Sequence, residues 1–492
     1  MNSIINWVEK HPGLSVLILL LFHMAVATFM YAVASSPYLA SLHNGHGLWK
    51  FALDSYGYHP EAQRLLGFLQ AGDVSAWWNE NPLWPHVKWV ALSYWLLGDI
   101  PLAFELINGP VWVLTIISIW AVSRLLFQDT PRLAYVPAML FGFLPSYLLC
   151  TTQLLKEPIY ILGLCLITLG WVLLYKNRMK WSSIPLLALG FIFVIALRAY
   201  FEFIFLGIIT VSLLYLVIAK SGVRIAALIA VAGVFFCNAY ILTKEDPAIP
   251  ATASRLVLPV DLPSFISSMP TTSLTSLAAG QTATQTATQT ATQTATQTAT
   301  QTATQTATQT ATQTATQTAT QTATQTATQT TTGLPLLDKV FLRISIARYG
   351  FGNSQYSAAT GIDENINFRS FGDLITYTPR ALQIAFFSPF PSYWIEEGLQ
   401  VGRVGRVITG VEISLWYILF IGSLFCLWKR RDLWGTLFLS VAISVVVISF
   451  LGFVVTNVGT IYRMRMGYFI PFYILGVYGL YSILSQYRSE KG

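Results

Sequence analysis

The chain has 492 residues, of which 54% are hydrophobic and 10% are charged, and its mean hydropathy is +0.56. A soluble domain carries about 25% charged residues, so this composition excludes an ordinary soluble protein and predicts an all-α polytopic membrane protein. The net charge of +7 does not indicate a nucleic-acid partner, because Lys and Arg are concentrated in short segments between apolar runs, where they set membrane orientation.

Apolar runs of about 17 or more residues predict ten membrane-spanning helices. The predicted spans are residues 13–34, 103–127, 132–150, 158–175, 181–197, 203–219, 224–243, 412–428, 434–455 and 466–485. Cationic residues between alternate spans, such as Lys176, Arg178 and Lys180, place both termini in the cytoplasm according to the positive-inside rule. We therefore expect a multi-pass protein of a bacterial inner (plasma) membrane.

The predicted spans divide the chain into three parts. Residues 1–243 form a module of seven spans with a first outer loop at 35–102, residues 244–411 form a long outer loop, and residues 412–492 form a module of three spans. Within the long loop, residues 281–330 repeat Gln-Thr-Ala-Thr at a strict period of four. This low-complexity repeat has no large apolar side chain to bury, so it is predicted to be a disordered spacer. An adhesive or glycosylated stalk is the alternative for such a composition.

The first outer loop carries a dense group of polar side chains. A carboxylate, two phenols and an imidazole lie within six consecutive positions: Asp54, Tyr56, Tyr58 and His59. A helix is predicted to begin just after them, with Pro60 in its first turn, where the missing N–H of proline would be unpaired anyway. The apolar residues that follow recur at helical spacing and predict an amphipathic helix along the membrane surface; they are Ala62, Leu65, Leu66 and Leu69. Residues 86–97 are too short to span and predict a second surface helix.

Charged residues at the predicted outer ends of spans form a second group of candidates. Lys156 and Glu157 open one span, Arg198 joins two others, and Arg463 and Arg465 precede the last span. For Glu157, a helix-capping role and a functional role both stay open. The last two arginines oppose the positive-inside trend, and cations placed there need an anion such as a lipid phosphate, although snorkelling to headgroups in general is the alternative.

Several of these features resemble the GT-C glycosyltransferases, in particular bacterial relatives of the dolichyl-phosphate-mannose–protein mannosyltransferases. The residues that carry the resemblance are spread over about residues 14–240: Asp54 with its nearby tyrosines, Ala62, Pro82–Pro85, Gly98, Asn108, Leu144-Pro145 and Glu157. The resemblance implies a multi-span helical bundle with its site on the outer face, a sugar donor carried on a polyprenyl phosphate, and the loop acid as general base. Residues 340–411, together with Arg463–Arg465, also resemble uncharacterised bacterial membrane proteins of exopolysaccharide systems.

The expected activity is transfer of a sugar from a polyprenyl-phosphate donor to a glycan, lipid or protein acceptor. Asp54 and Glu157 are the predicted catalytic residues, and the predicted substrate-binding residues are Tyr56, Tyr58, His59, Glu61, Lys156, Arg198, Arg463 and Arg465. Many members of the family carry two adjacent acids in the first loop, whereas Ser55 follows Asp54, so participation of a divalent cation stays open. A polymerase that joins lipid-linked repeat units and a flippase or transporter of lipid-linked sugars are the alternative functions.

Overall fold

The computed structural model describes residues 2–176, 183–219, 344–345, 347–348, 351, 361–366, 368, 370–398 and 400–489. Over these ranges the chain forms helices and turns and no β-strand, with isolated bridges at His43–Trp49 and Gly361–Asn457. The Gln-Thr-Ala-Thr repeat and the predicted span 224–243 lie outside the described residues.

The chain divides into two compact units. One comprises Met1–Thr243, Phe351–Asp363 and Thr378–Gly492, and the other comprises Lys244–Gly350 and Glu364–Tyr377. In the second unit, Ser345 donates a hydrogen bond from its hydroxyl to the backbone oxygen of Phe368 at 2.9 Å. The first unit contains all the candidate site residues.

The helices run as follows in chain order: α1 (Asn2–Lys10), α2 (Pro12–Ala34), α3 (Asp54–Gln70), α4 (Val74–Asn79), α5 (Val87–Leu97), α6 (Glu105–Leu126), α7 (Tyr135–Gly142), α8 (Pro145–Thr151), α9 (Glu157–Tyr175), α10 (Ser183–Leu197), α11 (Glu202–Ala219), α12 (Phe371–Phe387), α13 (Gly402–Lys429), α14 (Leu433–Val454), α15 (Val458–Arg465) and α16 (Ile470–Ser489).

Seven helical segments in the described part are long and apolar enough to cross a membrane. They are Pro12–Ala34, Pro101–Leu126, Glu157–Tyr175, Ala199–Ile218, Gly402–Lys429, Leu433–Val454 and Val458–Ser489. The prediction of an all-α polytopic membrane protein is therefore confirmed, whereas the predicted total of ten spans is not. Residues 132–150 form the bent pair α7 and α8, which meet at 63° and would make an eighth span if counted as one. Helix α10 has 15 residues, about 22 Å at the usual helical rise, which is short of the roughly 30 Å hydrocarbon core.

Helix α3 begins earlier than the sequence predicted. It starts at Asp54 and contains Pro60 in its interior, so the prediction that the helix starts after the polar cluster is wrong. Proline removes the hydrogen bond to the carbonyl four residues earlier, that of Tyr56, yet packing retains the extra turns because Ser55 and Tyr58 are buried. The predicted apolar face is present, with Ala62 and Leu65 fully buried.

Helix α5 packs against the apolar face of α3. Their shared core contains Leu65, Leu66, Val90 and Ala91, and it continues into Leu154, Leu155 and Ile159 beside the start of α9. Burying one leucine side chain stabilises a fold by about 1.5–3 kcal/mol. This apolar layer holds the first turn of α3 near the first turn of α9.

Close packing of α9 on α10 depends on two glycines. A Cβ atom added at Gly190 would lie 2.7 Å from the backbone oxygen of Gly163, which leaves no room for a side chain. Small residues at such crossings let two membrane helices approach closely. The contact brings the end of α10 beside the start of α9.

Candidate functional site

Four candidate residues from distant parts of the chain meet at one point. Arg463 donates a hydrogen bond from Nη2 to Oδ2 of Asp54 at 2.6 Å, and its Nε lies 3.7 Å from Oε1 of Glu157. Arg198 donates from Nη2 to the same Oε1 of Glu157 at 3.3 Å. We call Asp54, Glu157, Arg198 and Arg463 the arginine–carboxylate cluster.

The local sequence explains where each residue of the cluster stands. Glu157 is the first residue of α9, where Pro158 suits the first turn and a carboxylate is favoured by the helix dipole. Arg198 follows α10 directly, before the short 3₁₀ turn Ala199–Phe201. Asp54 opens α3.

Helix α15 presents the fourth member. Its first turn is capped by Asn457, whose side-chain oxygen accepts a hydrogen bond from the backbone N–H of Thr460 at 3.1 Å. The helix continues through a 3₁₀ turn into α16, so Arg463 stands near the start of the last candidate span. Because α15 is short, capped and continuous with α16, it holds the Arg463 guanidinium in a fixed position.

Two contacts, in addition to the one with Glu157, fix the orientation of Arg198. Its Cζ lies 4.4 Å from the ring centroid of Tyr160, the geometry of a cation–π contact. Tyr160 in turn is hydrogen-bonded to Tyr468 through the two phenol oxygens. Nη1 of Arg198 also donates to the backbone oxygen of Met464 at 3.4 Å, which ties α15 to the end of α10.

Exposure falls steadily across the cluster. The side chain of Asp54 is 38% exposed and that of Arg463 is 18% exposed, whereas Glu157 is 5% exposed and Arg198 is 1% exposed. A molecule approaching from solvent therefore meets Asp54 first and Arg463 next. Glu157 lies behind them, where its carboxylate faces two guanidinium groups.

The cluster has unused polar atoms in its interior. Among the residues that the structure describes, Glu157 Oε2, Arg198 Nε and Arg463 Nε have no hydrogen-bond partner. Lys156 is half-buried next to Glu157, and burial lowers the pKa of its amine although the Glu157 carboxylate opposes that shift. With Lys156 included, three cations face two carboxylates, so the site has one positive charge in excess and unused donors, which favours binding of an anion.

The aromatic candidates line the approach in different ways. Tyr58 is 2% exposed, and burial raises the pKa of its phenol, as do the nearby Asp54 and Glu157 carboxylates, so it stays protonated beside the cluster. Tyr56 donates to the backbone oxygen of Leu48 at 3.2 Å. His59 lies 2.7 Å from the hydroxyl of Tyr94 through Nδ1, and burial lowers the pKa of its imidazole. Tyr56 and His59 thus have hydrogen-bond partners away from the cluster.

Two further predicted site residues, Glu61 and Arg465, have partners away from the cluster. Glu61 binds Arg64 with N–O distances of 2.9 and 3.0 Å, and this pair lies on the solvent-exposed side of α3. Arg465 is fully buried and donates to the backbone oxygens of Ala385 and Ser388, at the C-terminal end of α12. A guanidinium at this position satisfies carbonyls that have no partner within the helix.

A divalent cation does not fit the cluster. Within the described ranges, no group of three or more His, Cys, Asp or Glu residues could hold a metal ion. Hard cations such as Mg²⁺ need free carboxylate or carbonyl oxygens, but the Asp54 and Glu157 carboxylates already face guanidinium groups. The two charges of a divalent cation beside Lys156, Arg198 and Arg463 would add repulsion.

The structure also contains two buried polar clusters that the sequence interpretation did not single out. His23 contacts the carboxylate of Glu105 through Nδ1 and lies 2.7 Å from the hydroxyl of Thr151 through Nε2. Glu412 accepts hydrogen bonds from the backbone N–H of Ser146 at 2.8 Å and from the hydroxyl of Tyr462. An ionisable residue inside an apolar run is a usable signal, and His23 within Pro12–Ala34 satisfies it.

Comparison of the chain with protein-family models, with curated proteins and with solved structures gave no match. The arrangement combines a buried, excess positive charge with one carboxylate accessible from solvent.

Proposed function

We propose that the protein is a membrane glycosyltransferase that moves a sugar from a polyprenyl-phosphate donor to a hydroxyl of a glycan, lipid or protein acceptor on the outer face of the inner membrane. The observation that carries the proposal is the meeting of Asp54 with Arg463, Glu157 and Arg198 in one cluster. An accessible carboxylate beside a cationic phosphate site is the pair of groups that this reaction needs.

In the proposed reaction, the acceptor oxygen attacks the anomeric carbon of the donor sugar. The bond from that carbon to the phosphate oxygen breaks, and its electron pair leaves with the phosphate. Asp54 takes the proton of the acceptor hydroxyl, as a general base must. In-line attack inverts the anomeric centre.

The cations supply the electrostatic part of catalysis. Charge develops on the phosphate as it leaves, and Arg463 and Arg198, with Lys156, stabilise that charge in a site largely shielded from water. Glu157 is too deeply buried to reach an acceptor, at 5% side-chain exposure. Its role is to position both guanidinium groups.

Purified protein reconstituted in liposomes with a polyprenyl-phosphate-linked sugar tests the proposal. Asp54→Asn should lower the transfer rate by about 10²–10⁴-fold, the usual contribution of a general base. Asp99→Asn is the matched control, because Asp99 is an exposed aspartate outside the cluster whose side chain accepts a hydrogen bond from Gln63 at 2.9 Å. Its rate should equal that of the parent protein.

Two results would contradict the proposal. If Asp54→Asn keeps the parental rate, Asp54 is not the base, and a polymerase that needs the cations alone fits better. If the parent protein transfers no sugar but moves lipid-linked glycan between leaflets, it is a transporter.

A further inference from the structure

The proposed base and the proposed phosphate ligand are bound to each other. Nη2 of Arg463 donates to Oδ2 of Asp54 at 2.6 Å, a charge-assisted hydrogen bond of full strength. A carboxylate that accepts this bond has one oxygen committed to a guanidinium, so only its other oxygen remains to face an acceptor hydroxyl. The same bond occupies a donor that a phosphate would need.

The Asp54–Arg463 contact is the one in the cluster that can open at low cost. Asp54 is 38% exposed and Arg463 is 18% exposed at their side chains, so water can solvate the released carboxylate, and separating this pair costs less than separating a fully buried one. The Glu157–Arg198 contact lies at 5% and 1% exposure, and separating such a buried pair is strongly unfavourable. Opening therefore occurs at Asp54, and Arg463 remains beside Glu157.

A phosphate is well suited to replace Asp54 on Arg463. It offers several acceptor oxygens to the guanidinium fork, which can form two parallel bonds. The negative charge of the phosphate also compensates the excess positive charge of Lys156, Arg198 and Arg463. The unused donors Arg198 Nε and Arg463 Nε lie in the same cluster.

We infer that the phosphate of the lipid-linked donor displaces Asp54 from Arg463, so that the whole Asp54 carboxylate is released towards the acceptor only when the donor is bound. This inference rests on the proposed function and adds a regulation to it. One ion pair, Arg463 with Asp54, is exchanged for another, Arg463 with the phosphate, and no proton moves in the exchange. Donor binding then precedes the release of the Asp54 carboxylate towards the acceptor hydroxyl.

A binding measurement with polyprenyl monophosphate, the lipid product of the proposed reaction, tests the exchange. The protein is placed in nanodiscs of zwitterionic lipid, and the dissociation constant is compared for the parent, Asp54→Asn and Asp99→Asn. Removing the competing carboxylate should tighten binding about tenfold with Asp54→Asn, because the closed state that lowers the apparent affinity no longer exists. Asp99→Asn should leave the constant unchanged, and Arg463→Gln should weaken it.

A second measurement follows Asp54 directly in the parent protein. Carbodiimide coupling of carboxyl groups to an amine, quantified at Asp54 by mass spectrometry, should increase when polyprenyl monophosphate is added, because the carboxylate leaves its guanidinium partner. A ligand that simply covers Asp54 would lower the coupling. This readout needs no variant, so it stands even if Asp54→Asn folds poorly.

The outcomes separate the inference from the proposed function. If polyprenyl monophosphate binds but Asp54→Asn does not tighten it, or if coupling at Asp54 falls on binding, the gating inference is wrong while the transferase proposal stands. If phosphatidylglycerol at the same mole fraction competes equally, the site binds headgroup phosphates in general and the inference fails. If polyprenyl monophosphate binds neither the parent nor Asp54→Asn, the proposed function itself is contradicted.

Discussion

Replacing Glu157 with Gln tests the electrostatic design of the cluster. Glu157 Oε1 is the atom that both Arg198 and Arg463 face, at 3.3 and 3.7 Å. Glutamine keeps the shape and removes the charge, so three cations would face Asp54 alone. Breaking a buried ion pair by removing one partner costs about 3–5 kcal/mol, and we expect a loss of this size in the free energy of unfolding.

The assay is denaturation of the purified protein by a denaturing detergent, with unfolding monitored as the loss of the helical circular-dichroism signal. Glu61→Gln is the matched control, since Glu61 pairs with Arg64 at 2.9 Å but with side-chain exposures of 23% and 44%. Exposed pairs contribute about 0.2–1 kcal/mol, so the control should be several-fold less destabilised than Glu157→Gln.

A double variant separates charge from packing. Glu157→Gln combined with Arg198→Met removes both partners of the buried contact, and it should recover much of the stability lost in Glu157→Gln alone. The reasoning is refuted if Glu157→Gln costs no more than Glu61→Gln. It is also refuted if the losses of the two single variants simply add.

Two further predictions concern residues outside the cluster. Arg465→Met should destabilise the protein by about 2–4 kcal/mol, because the backbone oxygens of Ala385 and Ser388 lose a buried donor. The dissociation constant for polyprenyl monophosphate should stay at the parental value. An increase in that dissociation constant would place Arg465 in the proposed donor site. His86 is 2% exposed, and burial, with a smaller contribution from Lys156, lowers the pKa of its imidazole to about 4 from about 6.5 when unfolded. The contribution of neutral His86 to stability is therefore complete above pH 6.5 and is lost as the pH falls towards 4, by about 3 kcal/mol. His86→Gln should flatten the dependence of the denaturation midpoint on pH between 4 and 7. Identical slopes for the parent and the variant would contradict this prediction.

The sequence alone determined the class of protein and the periodic features of its helices. A long apolar run predicts a membrane span wherever it occurs, because the hydrocarbon core sets the length, and the paired apolar residues Leu65 and Leu66 identify the buried face of α3 without knowledge of its partner. The charged residues at the span ends were also recognisable, since charge near hydrocarbon is costly. The start of α3 could not be predicted from the sequence, because the burial of Ser55 and Tyr58 outweighs the local preference of Pro60 for the first turn of a helix.

Only the tertiary structure decided which charged residues belong together. Arg463 and Arg465 are two positions apart and chemically alike, yet one binds Asp54 and the other binds carbonyls at the end of α12. Side chains two residues apart on a helix point about 160° away from each other, so the packing around α15 selects a different partner for each. The partner of Arg463 lies 409 residues away in the chain, a separation across which sequence periodicity carries no information, and it is the apolar packing of α3, α5 and α9 that brings Asp54 to that point.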